Sequence, residues 1–333
     1  MRDRIGPGEL FEDEVFPASD QSLYFEDRRS SEGIRWMRPQ ELVSSPELFV
    51  GGVNRRDVIQ GELGDCWFLS SCAAVAKMLR RIEKLIPPNQ PLSGNDYKGL
   101  IVCHFWRFGE WVTVCIDDLL PTKNGKLIYA RSEAPNEFWI SLLEKAYAKL
   151  HGSYQALGGG QSMDAMVDLT GGIAERYDLS ESPEKNKVYK HIAKASRNGA
   201  FITSSRKGDW KKALTVDKNG LVEGHAYSVS RVSRVIHSKK GKIPLILIRN
   251  PWGNDAEWNG RWSDGDEMWD HVSADMRRKL LTNNQKDGEF WMCFDDFYKE
   301  YEEISMCSIG PDFDNDGIVD KAGMVGQYLR CIN

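Results

Sequence analysis

The sequence predicts an α+β fold in two parts, a helix-led first half and a strand-led second half. Three observations carry this prediction. Apolar residues recur at helical spacing in "CWFLSSCAAVAKMLRR" and "NEFWISLLEKAYAKLHG". β-Branched and aromatic runs gather after residue 200. The two kinds of segment are segregated and do not alternate regularly, as a parallel βαβ architecture would require. At 333 residues the chain also exceeds the roughly 250–300 residues that one core serves, so two cores are expected.

In chain order, residues 1–50 read as an irregular lead-in rich in Pro, Glu and Asp. Cys66 to about Arg81 reads as one helix, closed by Pro87-Pro88. "GLIVCHFW" and "GEWVTVCIDDLLP" read as strands. "NEFWISLLEKAYAKLHG" is an amphipathic helix with Gly152 near its end. A short helix then leads to Gly171-Gly172, a pair that tolerates large backbone changes and makes a natural linker. Beyond it come a helix over about 186–198 and the strands "AFITSS", "HAYSVSRVSRVI", "IPLILIRN" and "EFWMCFDDFYKEY". The expected division is therefore residues 1–171, residues 172–310, and a tail of residues 311–333.

Composition bounds the function. The chain is 41% hydrophobic and 28% charged with a net charge of −5, so no basic excess marks it for nucleic acid or anionic lipid. The first residues lack the apolar core of a signal peptide, and no apolar run approaches the ~20 residues that span a bilayer. Seven scattered Cys, an odd number, predict reduced thiols and a cytoplasmic setting.

Cys66 stands apart from the other cysteines by position. It occupies the first turn of its predicted helix, after Gly64 and Asp65. Free N–H groups and partial positive charge at a helix N-terminus favour thiolate, the nucleophilic form. Cys72 lies inside the same helix on another face and reads as core. A thiolate nucleophile needs an imidazole base, and that base needs an orienter. His104, His151 and His191 fall within regular elements, and His237 and His271 fall in polar segments expected to be exposed. His225 follows Gly224 at the start of an alternating strand, and Asn250 ends a strongly apolar one. An Asn there accepts the imidazole N–H, and the neighbouring Trp252 keeps water from that bond. The order Cys, His, Asn is the order of papain-like enzymes, whose triad is assembled from distant segments. Gln60, six residues before Cys66, offers an amide that acts with the Cys66 N–H as an oxyanion hole.

At these stretches the chain resembles the protease core of the calpains, calcium-dependent cysteine proteases. "QGELGDCWFLSSCA", "FGEWVTVCIDDLLP", "DLTGGIAE", "GHAYSVS", "IRNPWGN" and "DGEFWMCFDDF" occur in the family's order between about residues 10 and 310. The resemblance implies a papain-like fold in two subdomains with the cleft between them. Cys66 is then the nucleophile, His225 the base, Asn250 its orienter and Gln60 the oxyanion-hole residue. Trp252 matches a tryptophan that wedges into the cleft when calcium is absent. The resemblance also implies two Ca2+ ions in the core. One site maps onto Asp57, Glu137 and the carbonyls of Val50 and Gly52. The other maps onto Glu257, Asp264, Asp287 and Glu289 with the Gln285 carbonyl. Calcium takes 6–8 oxygen ligands, which suits loops of carboxylates and carbonyls. One extra residue between Gly253 and Trp258, relative to the family, leaves Asp255 as an alternative to Glu257. Arg55 matches an arginine that bridges to the position of Glu289.

The implied activity is limited proteolysis of protein substrates bound extended in the cleft, by a monomeric core open to a protein inhibitor. Family members usually carry further domains after the core. A transglutaminase shares the residue order but uses Asp where Asn250 stands. A calcium-responsive binding module would not need Gln60, Cys66, His225 and Asn250 together. The tail "DFDNDGIVDKAG" begins like an EF-hand loop, but its twelfth position is Gly323 in place of a bidentate Glu.

Overall fold

The computed structural model of the chain describes residues 5–6, 8–25, 32–208, 215–281 and 287–310. Its described helices are α1 (Asp20–Leu23), α2 (Pro39–Leu42), α3 (Cys66–Val75), α4 (Leu79–Leu85), α5 (Trp139–His151), α6 (Ser162–Thr170), α7 (Lys185–Arg197), α8 (Ala274–Leu280) and α9 (Phe294–Glu300). In the first half the strands are β1 (Ile34–Met37), β2 (Leu100–Arg107), β3 (Glu110–Asp117), β4 (Leu120–Lys123) and β5 (Lys126–Leu127). In the second half they are β6 (Ile173–Asp178), β7 (Phe201–Arg206), β8 (Ala226–His237), β9 (Gly241–Arg249), β10 (Glu289–Cys293) and β11 (Tyr301–Ser308). The class is α+β, as the sequence predicts.

In the first half, β2 and β3 form a hairpin, and a small sheet runs β1-β4-β5. The second half is built on one antiparallel sheet of order β10-β9-β8-β7-β11-β6. The apolar run of β9 is continuous because the strand is covered on both faces. Ile246 and Ile248 point into one cluster with Tyr227, Phe290 and α7 residues. Leu245 and Leu247 point into another with Trp262, Trp269 and Trp291. The first half has its own core, in which Trp67 to Val75 of α3 are all buried. Phe201, Ala226 and Cys307 of the large sheet also join that core. Helix α3 thus packs against β7 and β8, and its N-terminus lies beside the start of β8.

Four expectations need correction. The helix expected over 66–81 is two helices, with Met78 extended (φ −121°, ψ 93°) between them. No Gly or Pro marks the break. Lys77 instead reaches across to the Ala200 carbonyl at 2.6 Å, a tertiary contact that no local pattern encodes. The strand expected over 289–301 is strand, helix, strand. Phe294, Phe297 and Tyr298 follow helical spacing, and Asp295 and Asp296 occupy the first turn of α9, where the helix dipole favours them. The lead-in is not wholly irregular, since it contains α1, α2 and β1. His237 is buried, with its Nδ1 accepting the Lys239 and Lys240 N–H groups.

Candidate active site

Helix α3 begins at Cys66, and the side chain is half-buried. The Ala226 N–H, one residue past His225, is aimed at the Cys66 sulfur and favours its anion, as do the N–H groups of Cys66 and Trp67. Burial and the adjacent Asp65 charge outweigh them and push the thiol up to about 11. The helix terminus alone therefore does not generate the thiolate that the sequence predicts.

His225 is 1% exposed and sits immediately before β8. Its Nε2 lies 2.9 Å from Asn250 Oδ1. The orientation of the Asn250 amide is fixed from both ends. Oδ1 also accepts the Trp252 N–H at 3.0 Å, while Nδ2 donates to the Ala256 carbonyl at 3.2 Å. An oxygen that can only accept requires a proton on His225 Nε2. The lone pair is then on Nδ1, which carries no hydrogen bond among the described residues. Burial lowers His225 to about 4, with the Asn250 bond acting weakly the other way. The Trp252 ring stands 5.3 Å from the imidazole and the Tyr227 ring 5.0 Å from it, forming an aromatic collar. Among the described residues no hydrogen bond joins Cys66 to His225, so this arrangement holds a neutral thiol and a neutral imidazole.

Gln60 Nε2 donates to the Leu63 carbonyl at 2.7 Å, which leaves one of its two N–H bonds for another acceptor. Its own N–H bonds to the Pro251 carbonyl at 2.9 Å, next to Asn250. Arg249 Nε similarly reaches the Arg55 carbonyl at 3.1 Å. Gly61 is a position where only glycine fits. A Cβ there would stand 2.3 Å from the Ile128 carbonyl oxygen and 2.4 Å from that of Tyr129.

The sequence reading missed one buried pair. Asp65 and Glu144 of α5 are 0% and 1% exposed, and neither Asp65 carboxylate oxygen has a hydrogen-bond partner among the described residues. Glu144 accepts the Ala130 N–H. Burial holds Asp65 at about 7 and raises Glu144 further. The only signal was a carboxylate on the apolar face of a helix.

Asp57 is buried and accepts from the Asn54 backbone and side chain. Glu137 Oε1 accepts the Val50 N–H at 2.7 Å, while its Oε2 is buried and unpartnered. Burial and the Asp57 charge raise Glu137 to about 7. The chain from Val50 to Asp57 turns through Gly51 and Gly52, both at positive φ. In the second half, Glu257 Oε1 accepts the Gly288 N–H at 2.8 Å. Burial, followed by Asp264 and Asp287, raises Glu257 to about 7, and burial with Asp287 and Glu289 raises Asp264 to about 6. Asp255 is exposed, and the Glu257 carboxylate feels the charges of Asp264 and Asp287. Arg55 Nε lies 2.6 Å from Glu289, and Arg56 lies 2.8 Å from Asp287. Among the described residues no three acidic, His or Cys side chains converge closely enough to form a ready-made cation cage. Gln285 lies outside the described residues, as does the EF-hand-like run at 312–323.

A sequence profile of the calpain family cysteine proteases matches residues 11–308. The chain belongs to the calpain family. It is 44% identical over 311 residues to Calpain-A of Drosophila melanogaster, covering 92% of this chain and 37% of that one. Calpain clp-1 of Caenorhabditis elegans is 42% identical over 306 residues, covering 91% of this chain and 38% of the relative. Calpain-8 of Rattus norvegicus is 44% identical over 344 aligned positions, covering 99% and 48%. This calpain-family chain thus spans less than half the length of these curated relatives. No helix among its described residues is long and apolar enough to cross a membrane.

Proposed function

We propose that this chain is the core of a calcium-activated cysteine endopeptidase that cuts protein substrates at limited sites. The observation that carries the reading is the His225–Asn250 pair beside Cys66. The asparagine fixes the tautomer and leaves Nδ1 basic on the side of the candidate nucleophile.

In this reading Nδ1 takes the Cys66 proton as the sulfur adds to the substrate carbonyl carbon. The carbonyl electron pair moves onto oxygen, where the Cys66 N–H and the spare Gln60 N–H hold it. Imidazolium Nδ1–H then protonates the leaving amine, and the C–N bond breaks to give a thioester. Water adds next, losing its proton to Nδ1, and the thiolate departs. Contact between the two groups changes both acidities at once, because thiolate and imidazolium stabilise each other.

The two working units are residues 1–171 and 172–310, joined at Gly171-Gly172. The donor sets fit calcium by chemistry: carboxylates raised first by burial and then by neighbouring carboxylates, and one orphaned carboxylate oxygen in Glu137. Val50, Gly52, Asp57 and Glu137 would hold one ion, and Glu257, Asp264, Gln285, Asp287 and Glu289 the other. Bound calcium supplies positive charge that relieves the repulsion on both sides of the cleft. Arg55 and Arg56 reach from the first unit to Glu289 and Asp287 in the second, which couples the two acidic sets. Closure of the units then brings His225 to Cys66. The substrate lies extended between them, a protein inhibitor would compete for the same cleft, and the core acts as a monomer in the cytosol.

The test is peptide hydrolysis by this chain across a free-calcium titration, beside Cys66→Ala. Hydrolysis should require calcium and vanish in the variant with folding intact. Activity indifferent to chelation would remove calcium from the scheme, and activity in Cys66→Ala would remove the nucleophile.

A further inference from the structure

The segment that delivers His225 to the cleft is tied down by an ion pair. Residues 216–222 form a short turn, closed by an antiparallel bridge between Val216 and Val222. The Asp217 N–H also bonds to the Leu221 carbonyl at 2.7 Å. The Asp217 carboxylate organises this turn with both oxygens. Its Oδ1 accepts the Asn219 N–H at 2.7 Å and the Leu221 N–H at 3.0 Å. Its Oδ2 lies 2.9 Å from Arg206 Nη2. Arg206 is buried at the end of β7, and its backbone N–H bonds to the His225 carbonyl at 2.9 Å. The same guanidinium reaches the Glu300 carboxylate at 2.6 Å and the Glu300 carbonyl at 2.9 Å, at the end of α9.

Two further contacts carry the position of the turn to the imidazole. Val222 is buried, and its N–H donates to the Tyr227 hydroxyl at 2.8 Å. Tyr227 supplies the ring that stands edge-on to His225. The opposite flank of the turn is held as well. Gly220, at φ +83°, lies so close to the Glu257 carbonyl that a Cβ would come within 1.8 Å of its oxygen. The Asn259 N–H and side-chain amide bond to the Asn219 and Lys218 carbonyls, each at 3.0 Å. Charge-assisted bonds in a partly buried setting are strong and little screened, so the Arg206–Asp217 pair fixes geometry as well as charge.

We propose that Asp217, held by Arg206, is a positioning residue for His225. The pair fixes the turn. The turn fixes the Tyr227 hydroxyl and the backbone that enters His225. The imidazole is thereby kept on its bond to Asn250. Asn250 sets the tautomer from one side, and Asp217 holds the chain and the aromatic wall on the other. This inference deepens the protease reading and rests on it for its kinetics.

Two variants of the full chain separate the roles of the two oxygens. Asp217→Asn keeps an acceptor for Asn219 and Leu221 but loses the charge facing Arg206, which stays paired with Glu300. Asp217→Ala loses both. The first readout is NMR of the metal-free chain carrying isotope-labelled histidine, with the His225 signal assigned by His225→Gln. In Asp217→Ala the His225 Nε2–H should exchange with water about tenfold faster, the factor expected from losing one bond to a charged group. Thermal melting checks that the variant is folded. The second readout is peptide hydrolysis at saturating calcium. There kcat should fall about 10–100-fold in Asp217→Ala and less in Asp217→Asn, with KM within about twofold of the parent. Unchanged His225 exchange in folded Asp217→Ala would overturn the proposal, whether or not the parent cuts peptides. So would an unchanged kcat, or a loss confined to KM, which would make the turn a substrate contact. A parent that hydrolyses nothing, with His225 exchange still faster in the variant, would leave the positioning role standing and strike only the protease reading.

Discussion

Asn250→Ala isolates the group that orients His225. The substitution deletes three side-chain hydrogen bonds: from the His225 Nε2–H, from the Trp252 N–H, and to the Ala256 carbonyl. Asn250 is 0% exposed, so water does not replace its amide without rearrangement. At roughly 1 kcal/mol for each group left unpaired, folding loses about 3 kcal/mol. For a domain of this size that lowers Tm by roughly 6–12 °C. The effect on chemistry is separate. Losing the bond that selects the Nε2–H tautomer removes a bias on the order of 1–1.5 kcal/mol, about tenfold in population. Freedom of the ring to turn lowers the rate further. Peptide hydrolysis at saturating calcium, measured well below the variant's Tm, should show kcat down about 10–100-fold with little change in KM. A folded variant within twofold of the parent rate would refute the role given to Asn250 and the tautomer argument with it.

Two further outcomes follow from the same geometry. Gly61→Ala drives a methyl group into the Ile128 and Tyr129 carbonyls, so the Gln60 loop must shift. Thermal melting should show a loss of about 1–3 kcal/mol, with hydrolysis falling more steeply than labelling of Cys66 by iodoacetamide. Equal losses in both would mean that the loop does not position the oxyanion hole. The metal-free chain should also melt at progressively lower temperature between pH 6.5 and 8. Glu137 and Glu257 are held at about 7, above the ordinary 4.5. A carboxyl raised in the folded state contributes stability below its unfolded pKa and loses it as pH climbs through the folded value. His225, lowered to about 4 from 6.5, has the opposite sign, but its window closes near 6.5. Each carboxyl contributes on the order of 1 kcal/mol after solvent screening. Glu257→Gln should flatten the slope, and a melting temperature that rises across this window would contradict the assignment.

Much of this architecture was legible because local chemistry and tertiary role coincide. Helix α5 follows apolar periodicity and ends at Gly152 in the left-handed region (φ +100°), as a helix C-terminus prefers. The apolar run of β9 signalled a strand buried on both faces. His225 and Asn250 stood out because a glycine turn and a strand end each leave one polar side chain facing inward. What stayed hidden was set by distant partners. The break after α3 has no local breaker and is accompanied by the reach of Lys77 to Ala200. His237 lies among charged neighbours, yet its ring packs 6.2 Å from Trp262 and 4.7 Å from His271. In 289–301, aromatic residues common in strands masked helical spacing. The Asp65–Glu144 pair emerges only when α5 packs behind the N-terminus of α3.

The bonds from Gln60 to Pro251 and from Arg249 to the Arg55 carbonyl have a geometric corollary. With the reach of Lys77 to the Ala200 carbonyl and the packing of α3 on β7 and β8, they tie the segments before and after Gly171 at several separate points. Any shift between those segments would have to keep or exchange each tie, so a slide of packed surfaces is favoured over a free swing.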